Sequence, residues 1–322
     1  MIFPVLALGL FLDFIIGDPR TPLHPVVLIG RLGRILERIT RRKISGLILA
    51  GLITELVLLG IVGIVTWAVI SSLAYVHPLA ASVGSATVIA FSIGSQSLFQ
   101  HTNAVADRLN AHDLVGAREK TSMIVGRDTA DLPPEELVRA TVESTAESLV
   151  DGITAPLFYA AIGFFFFGTA GAALGAILYR VVNTTDSLFG YKNAEYIEFG
   201  RVAARTDDLL NLIPSRITPF FVALAALVLR ERSIATLRIW WRDGSNNPSP
   251  NSGQCEAAFA GALGVQLGGL NYYRGVASQK PLIGDRLEAL NVKHIARANR
   301  LMLLTVGLWV SCLSIVLQFC LA

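Results

Sequence analysis

Residues 44–70 read ISGLILAGLITELVLLGIVGIVTWAVI, an apolar run in which Glu55 is the single charge. A helix that crosses a bilayer needs about 20 apolar residues, so this stretch is long enough to span one. Similar runs occupy 79–99, 155–182 and 301–322. Two shorter ones lie at 1–17, broken by Asp13, and at 217–229. The first has no basic n-region and no small-residue cleavage site. It reads as an embedded or re-entrant helix rather than a removed signal peptide. Across the 322 residues, hydrophobic side chains make up 53% and charged ones 16%. A soluble globule of this size cannot hide so much apolar surface, and soluble domains carry roughly 25% charge. Disorder, a secreted disulfide scaffold and an ordinary cytosolic enzyme are excluded. The expectation is an all-α polytopic membrane protein with amphipathic interfacial helices, folded as a single membrane-embedded domain over 1–322.

Just before 44–70, Leu28, Leu32, Ile35, Leu36 and Ile39 recur at helical spacing, while Arg31, Arg34, Arg38, Arg41 and Arg42 take the other face. That pattern over 26–43 predicts an amphipathic helix in the headgroup layer. Its basic cluster assigns this side to the cytoplasm. If 44–70 and 79–99 form a hairpin, the basic 100–150 segment shares that side. Counted as one span, 155–182 puts the following polar stretch outside; the alternative, preferred because it keeps the polar segments together, is a turn at Gly168-Thr169-Ala170-Gly171 that sends the chain back within the bilayer. The net charge of +3 says little about nucleic acid, and no nucleic-acid partner is expected. Cys255, Cys312 and Cys320 form no metal-binding spacing and read as inert thiols.

Four polar clusters stand between the apolar runs. Asp18, Arg20 and His24 sit among Pro19, Pro22 and Pro25, where the prolines fix an extended or turn backbone. The plain reading is a helix-ending turn with a local Asp–Arg pair. His24 is the acid–base candidate, because imidazole titrates near neutrality. After Pro133-Pro134-Glu135, a helix-start signal, Arg139, Glu143, Glu147 and Asp151 follow at intervals of four. On a helix they share one face. Their net negative charge beside lipid calls for a cation or a proton, with Mg²⁺ on phosphate the natural candidate. Arg127 and Asp128 stand just upstream. A solvated face with one Arg–Glu pair is the plainer alternative.

The third cluster runs from Asn183 and Asp186 through Lys192, Arg201 and Arg205 to Asp207, Asp208 and Asn211. Asp207 and Asn211 share a helix face. Such acids beside cations suit a metal-complexed phosphate, or else Arg201 and Arg205 simply pair with Asp207 and Asp208. The fourth is the polar loop 242–253, with Asn251, followed by Glu256, a Gly/Ala-rich helix-like run and Gly268-Gly269-Leu270-Asn271-Tyr272-Tyr273. Small residues there let a backbone approach a ligand. No Walker A, GxGxxG, HExxH or GxSxG sequence is present.

Four stretches resemble the adenosylcobinamide-phosphate synthase family, the CobD/CbiB family of cobalamin biosynthesis. They are LDFIIGDPRTPLHPVVLIGRL, VGRDTADLPPEELVRATVESTAESLVDGITAPLF, YRVVNTTDSLFGYKNAEYIEFGRVAARTDDLLNLIPSRIT and SPNSGQCEAAFAGALGVQLGGLNYY. One departure is Ser148, where the family usually has Asn after Ala-Glu. The resemblance implies a multi-pass protein of the cell membrane that joins adenosylcobyric acid to aminopropanol or its phosphate in an ATP-dependent amide ligation, with Mg²⁺. On that footing His24, Glu143, Glu147 and Asp151 are expected to be catalytic. Arg20, Arg127, Asn183, Lys192, Arg201, Asn251 and Tyr272 are expected to bind substrate, and Asp128, Asp186, Asp207 and Asp208 to hold metal. The alternatives are a corrinoid transporter and a membrane sensor or accessory protein on the same fold.

Overall fold

A computed structural model describes residues 3–19, 21–191 and 193–320; Arg20 and Lys192 lie outside the described residues. The first elements are α1 (Phe3–Ile16), α2 (Pro25–Lys43), α3 (Leu47–Val76), α4 (Pro78–Ala90) and α5 (Ser95–Asn110). Then come α6 (Leu114–Ser122), α7 (Pro134–Leu149), a π-turn (Val150–Thr154), α8 (Ala155–Phe189) and α9 (Arg201–Val228). The chain ends with α10 (Ser233–Asp243), α11 (Ser252–Leu263), β1 (Leu267–Tyr273), β2 (Val276–Ile283) and α12 (Lys293–Cys320). Among the described residues, five helical stretches are long and apolar enough to cross a membrane: Leu47–Val76, Pro78–Asn110, Pro134–Phe189, Arg201–Val228 and Lys293–Cys320. The protein is an all-α polytopic membrane protein, to which one antiparallel β-hairpin is added.

The chain read as one domain clusters into two compact units, each assembled from separated stretches. Unit one takes the chain up to Gly94, Asp151–Asn211 and the part from Val310; unit two takes Ser95–Val150 and Leu212–Trp309.

In unit one, α3 and α4 form the expected hairpin, joined at His77, whose Nδ1 accepts the Leu79 N–H at 3.1 Å and caps α4. The 79–99 run is broken, however. Helix α4 ends at Ala90, and α5 starts afresh at Ser95. The reversal inside 155–182 is present. Gly168 takes φ +62° within α8, a left-handed conformation that favours glycine. The two arms then touch backbone to backbone. A Cβ at Gly163 would lie 2.0 Å from the Gly171 carbonyl oxygen, and one at Gly175 only 1.9 Å from that of Tyr159. Helix α2 matches the amphipathic reading, with Ile29 buried against Leu58, Ile177 and Val181 and Leu28, Ile35 and Ile39 exposed.

Helix α9 is longer than the 217–229 run. Its polar side points inward: Asp207, Asn211, Ser215 and Thr218 are buried, while Leu209, Leu212 and Ile213 are exposed. Average hydropathy hides a helix that faces lipid with one stripe and carries hydrogen-bonding groups on the other.

Candidate functional site

Unit two holds a polar centre built on α7, α11 and the β-hairpin. Helix α7 starts on Pro134 and carries Arg139 and Glu143 one turn apart, so that Arg139 Nη1 donates to Glu143 Oε1 at 3.1 Å. The same oxygen accepts the Gly268 N–H at 2.7 Å, and Arg127 Nη2 donates to Oε2. Arg139 also reaches Asn271 Oδ1 at 3.0 Å and the Leu270 carbonyl at 3.1 Å. Arg127 donates to Asn271 as well. All four side chains are buried. This is a closed network in which each charge meets its opposite, the condition under which buried ions are tolerated. Arg127 and Glu143, expected to meet substrate, are therefore engaged internally. They join α7 to the hairpin.

The hairpin explains Asp128 as well. Tyr273 pairs with Val276, leaving the two-residue turn Arg274-Gly275, both at positive φ, as in a type I′ turn. Asp128 accepts from the Arg274 N–H at 3.0 Å and the Gly275 N–H at 2.7 Å, and its own N–H donates to the Tyr272 carbonyl at 2.8 Å. Its carboxylate caps a turn instead of facing a metal. Tyr272 is exposed on a cleft of about 530 Å³ that Arg139, Gln266 and Arg286 also line, within the size range of small-molecule sites.

One turn beyond Glu143, Glu147 is exposed and accepts from Ser252 Oγ at 3.0 Å. Glu256 is buried on α11 and accepts from Asn247 Nδ2 at 2.9 Å. Burial pushes its pKa up to about 7; Glu143 and Glu147 add to the rise, and Lys280 and Asn247 oppose it. Lys280, on β2, keeps a pKa above the ordinary lysine value. Its burial works against the charge, but Glu256 and Glu147 outweigh it. Lys280 was not singled out in the sequence, because its neighbours lie on other elements. Asn251 is buried and tied to α9 through Ser215 Oγ at 3.2 Å, a structural placement.

Unit one has a second polar centre. His24 caps α2, its Nδ1 accepting the Val26 N–H at 3.3 Å. Nε2 stands 3.1 Å from Asp18 Oδ1, near enough for an ion pair but off the line of a hydrogen bond. The ring packs edge-on against Phe91. With one nitrogen capping a helix and the other against Asp18, His24 is held as a structural group, which does not suit the expected base.

Further in, Arg180 donates to the Ser92 carbonyl at 2.7 Å, the Gly152 carbonyl at 3.1 Å and Asn183 Oδ1 at 3.0 Å. Asn183 Nδ2 approaches Asp207 Oδ1 at 3.4 Å, and Asn211 Nδ2 donates to Asp207 Oδ2 at 3.0 Å, as the shared face predicts. Tyr179 Oη donates to Asn211 Oδ1 at 2.7 Å. Thus Asp207 is held by amides, not by Arg201 or Arg205, and Arg201 is exposed. Asp151 stands in the π-turn and falls in unit one, while Glu147 falls in unit two. Asp186 and Asp208 are half-buried in unit one. Among the described residues, no three His, Cys, Asp or Glu side chains gather to hold a metal ion.

Glu55 adds a group that the sequence reading treated only as an interruption. It is 3% exposed, both carboxyl oxygens lack a hydrogen-bond partner among the described residues, and Asp186 and Asp207 are charges acting on it. An ionisable side chain inside a span is costly and commonly functional. Glu55→Leu is expected to raise stability by roughly 1–3 kcal/mol, because it removes a buried polar group without a partner. A thermal melt in detergent checks this; a lower melting temperature shows that the carboxyl has a partner worth keeping.

These features define a polytopic membrane protein whose polar chemistry sits at helix ends and on a β-hairpin. The profile of the family described as CobD/Cbib protein matches residues 6–302, and the chain belongs to that family. It is 43% identical to cobalamin biosynthesis protein CobD of Leptospira interrogans over 300 residues, 93% of each chain. It is 44% identical to the CobD protein of Geobacter metallireducens over 92% of this chain and 91% of that one. It is 42% identical to cobalamin biosynthesis protein CbiB of Salmonella typhi over 90% of each. Membership sets the chain among the proteins of cobalamin biosynthesis. No solved structure matches.

Proposed function

We propose that the protein is an enzyme of the cell membrane that forms an amide between adenosylcobyric acid and aminopropanol or its phosphate, giving adenosylcobinamide or its phosphate. The observation that carries this reading is the group Glu147, Lys280 and Glu256 in unit two, an exposed acid, a half-buried lysine and a buried acid whose charges act on one another, within a family named for cobalamin biosynthesis. Lys280 suits an anionic oxygen of the carboxyl or phosphate substrate. Glu147 suits the substrate ammonium. An amine attacks only after losing a proton, and Glu256, with its pKa near neutrality, is the acceptor. The nitrogen then bonds to the carbonyl carbon as the leaving group departs with its electron pair.

A carboxylate needs activation before an amine will displace an oxygen from it, and ATP is the proposed source. The described side chains do not fit a resident Mg²⁺: Asp128 caps a turn, Asp207 is held by two amides, and no three-ligand cluster forms. Mg²⁺ is therefore assigned to the nucleotide phosphates that carry it in, and no step is routed through a protein-bound ion. The test is the purified chain in lipid with adenosylcobyric acid, aminopropanol phosphate, Mg²⁺ and ATP. Product mass and nucleotide consumption are followed together. Amide product with matching nucleotide loss is expected. Corrinoid uptake into vesicles without product would establish a transporter instead.

A further inference from the structure

A pocket of about 420 Å³ in unit one is lined by Arg34, Glu37, Arg38 and Arg41 of α2 with Leu188, Phe189, Glu195 and Tyr196. Arg41 is fixed there. Its Nε donates to Glu37 Oε1 at 2.9 Å and its Nη2 to the Glu195 carbonyl at 3.0 Å. The guanidinium lies 4.3 Å from the Phe199 ring centre and 5.2 Å from that of Tyr196, within cation–π range. Glu37 is buried and already answered by Arg41, with Tyr196 also bonded to it. Arg34 and Arg38 are exposed and pair with none of the described residues. The pocket thus presents two exposed guanidiniums that pair with none of the described residues, beside a third held over aromatic rings; Glu37 and Glu195 are the acids in its lining, so the three arginines leave it net positive.

Its depth follows from the chain. Helix α2 ends at Lys43, and the α3 span begins at Leu47. Leu188 and Phe189 close the span that ends at Phe189, and the α9 span begins at Arg201. Leu188 and Phe189 therefore place the pocket at the end of a span, at the level where lipid hydrocarbon gives way to headgroups, with Arg34 and Arg38 beside them on α2. On α2 itself Leu28, Ile35 and Ile39 are exposed, apolar surface that acyl chains cover.

We propose that this pocket binds the phosphate of an anionic phospholipid headgroup, with Arg34 and Arg38 on its oxygens and the acyl chains along the exposed apolar stripe of α2. Planar guanidinium forks match phosphate oxygens, and basic pockets at span ends attract anionic lipid. The site is independent of the amide-forming chemistry.

The test is native mass spectrometry of the purified chain titrated with phosphatidylglycerol, phosphatidylcholine or glycerol phosphate. Phosphatidylglycerol is expected to bind at least about tenfold more tightly than phosphatidylcholine. Arg34→Gln with Arg38→Gln is expected to abolish most of that preference. Arg31→Gln with Arg42→Gln, which removes equal charge from the same helix outside the pocket, is expected to keep it. Equal losses in both pairs would reduce the effect to diffuse attraction and overturn the site. Glycerol phosphate competing as well as the whole lipid would overturn the lipid and leave a free-phosphate pocket.

Discussion

Glu143→Leu is expected to leave little folded protein in the membrane, whereas Glu147→Gln folds normally and fails at turnover. The two residues are one helical turn apart and carry the same chemical group, so the difference rests on their surroundings. Glu143 receives Arg127, Arg139 and the Gly268 N–H. Removing it strands two buried guanidiniums that have only Asn271, Glu136 and main-chain carbonyls left. Breaking a buried ion pair from one side costs about 3–5 kcal/mol. That is a large share of the roughly 5–15 kcal/mol that holds a typical domain together. Glu147 is exposed and loses one bond, from Ser252. Its replacement costs well under that, but the amine loses its carboxylate, with an expected fall in turnover of roughly a hundredfold. Membrane yield and melting temperature read the first effect, and amide formation by the reconstituted protein reads the second. A stable, well-expressed Glu143→Leu protein would show that the arginines find other partners. Normal turnover by Glu147→Gln would remove that carboxylate from the site.

That contrast marks the limit of what one strand of sequence can tell. The four-residue spacing of Arg139 and Glu143 is a local fact, and their ion pair follows from helix geometry. Asp207 with Asn211 and the reversal at Gly168 are local in the same way, and all are present. Whether a carboxylate faces substrate or a second arginine depends on Gly268 and Asn271, more than a hundred residues along the chain. Asp151 has the four-residue spacing too, but it falls inside the π-turn Val150–Thr154, where the α-helical count of residues per turn no longer applies. The β-hairpin, by contrast, was readable. Tyr272-Tyr273 and Val276 flank Arg274-Gly275, a two-residue turn ending in glycine beside β-favouring side chains. Taking that stretch only as backbone that approaches a ligand hid the job of Asp128 and the position of Lys280. The polar inner face of α9 was missed for a different reason. In a membrane the apolar stripe points outward, so the run that signals a span need not be continuous.

Glu256 yields the second large effect, a stability that falls as pH rises. Its pKa stands at about 7 in the fold against 4.5 for an ordinary glutamate. Between those values the folded protein keeps a proton that the unfolded chain has released. Folding is therefore favoured less at each step up in pH across that window, and the full penalty, about 3 kcal/mol, is reached above pH 7. The charged groups around it are Glu143, Glu147 and Lys280, and only Lys280 favours the ionised form. Glu256→Gln carries no titrating group there, so its melting temperature is expected to fall less from pH 5 to 8 than the wild-type value does. Turnover moves the other way. Only ionised Glu256 accepts the ammonium proton, so wild-type turnover climbs through about pH 7, and the glutamine variant loses that limb. Melts and rates measured over the same pH series test both halves. A level wild-type melting curve would mean that the carboxyl titrates as in water. A falling curve with turnover unchanged in the variant would make Glu256 a strained structural acid and move proton acceptance to Glu147. Opposite slopes in stability and activity are what a base kept dry by burial must show, since the burial that penalises its charge is also what brings its proton affinity close to neutral pH.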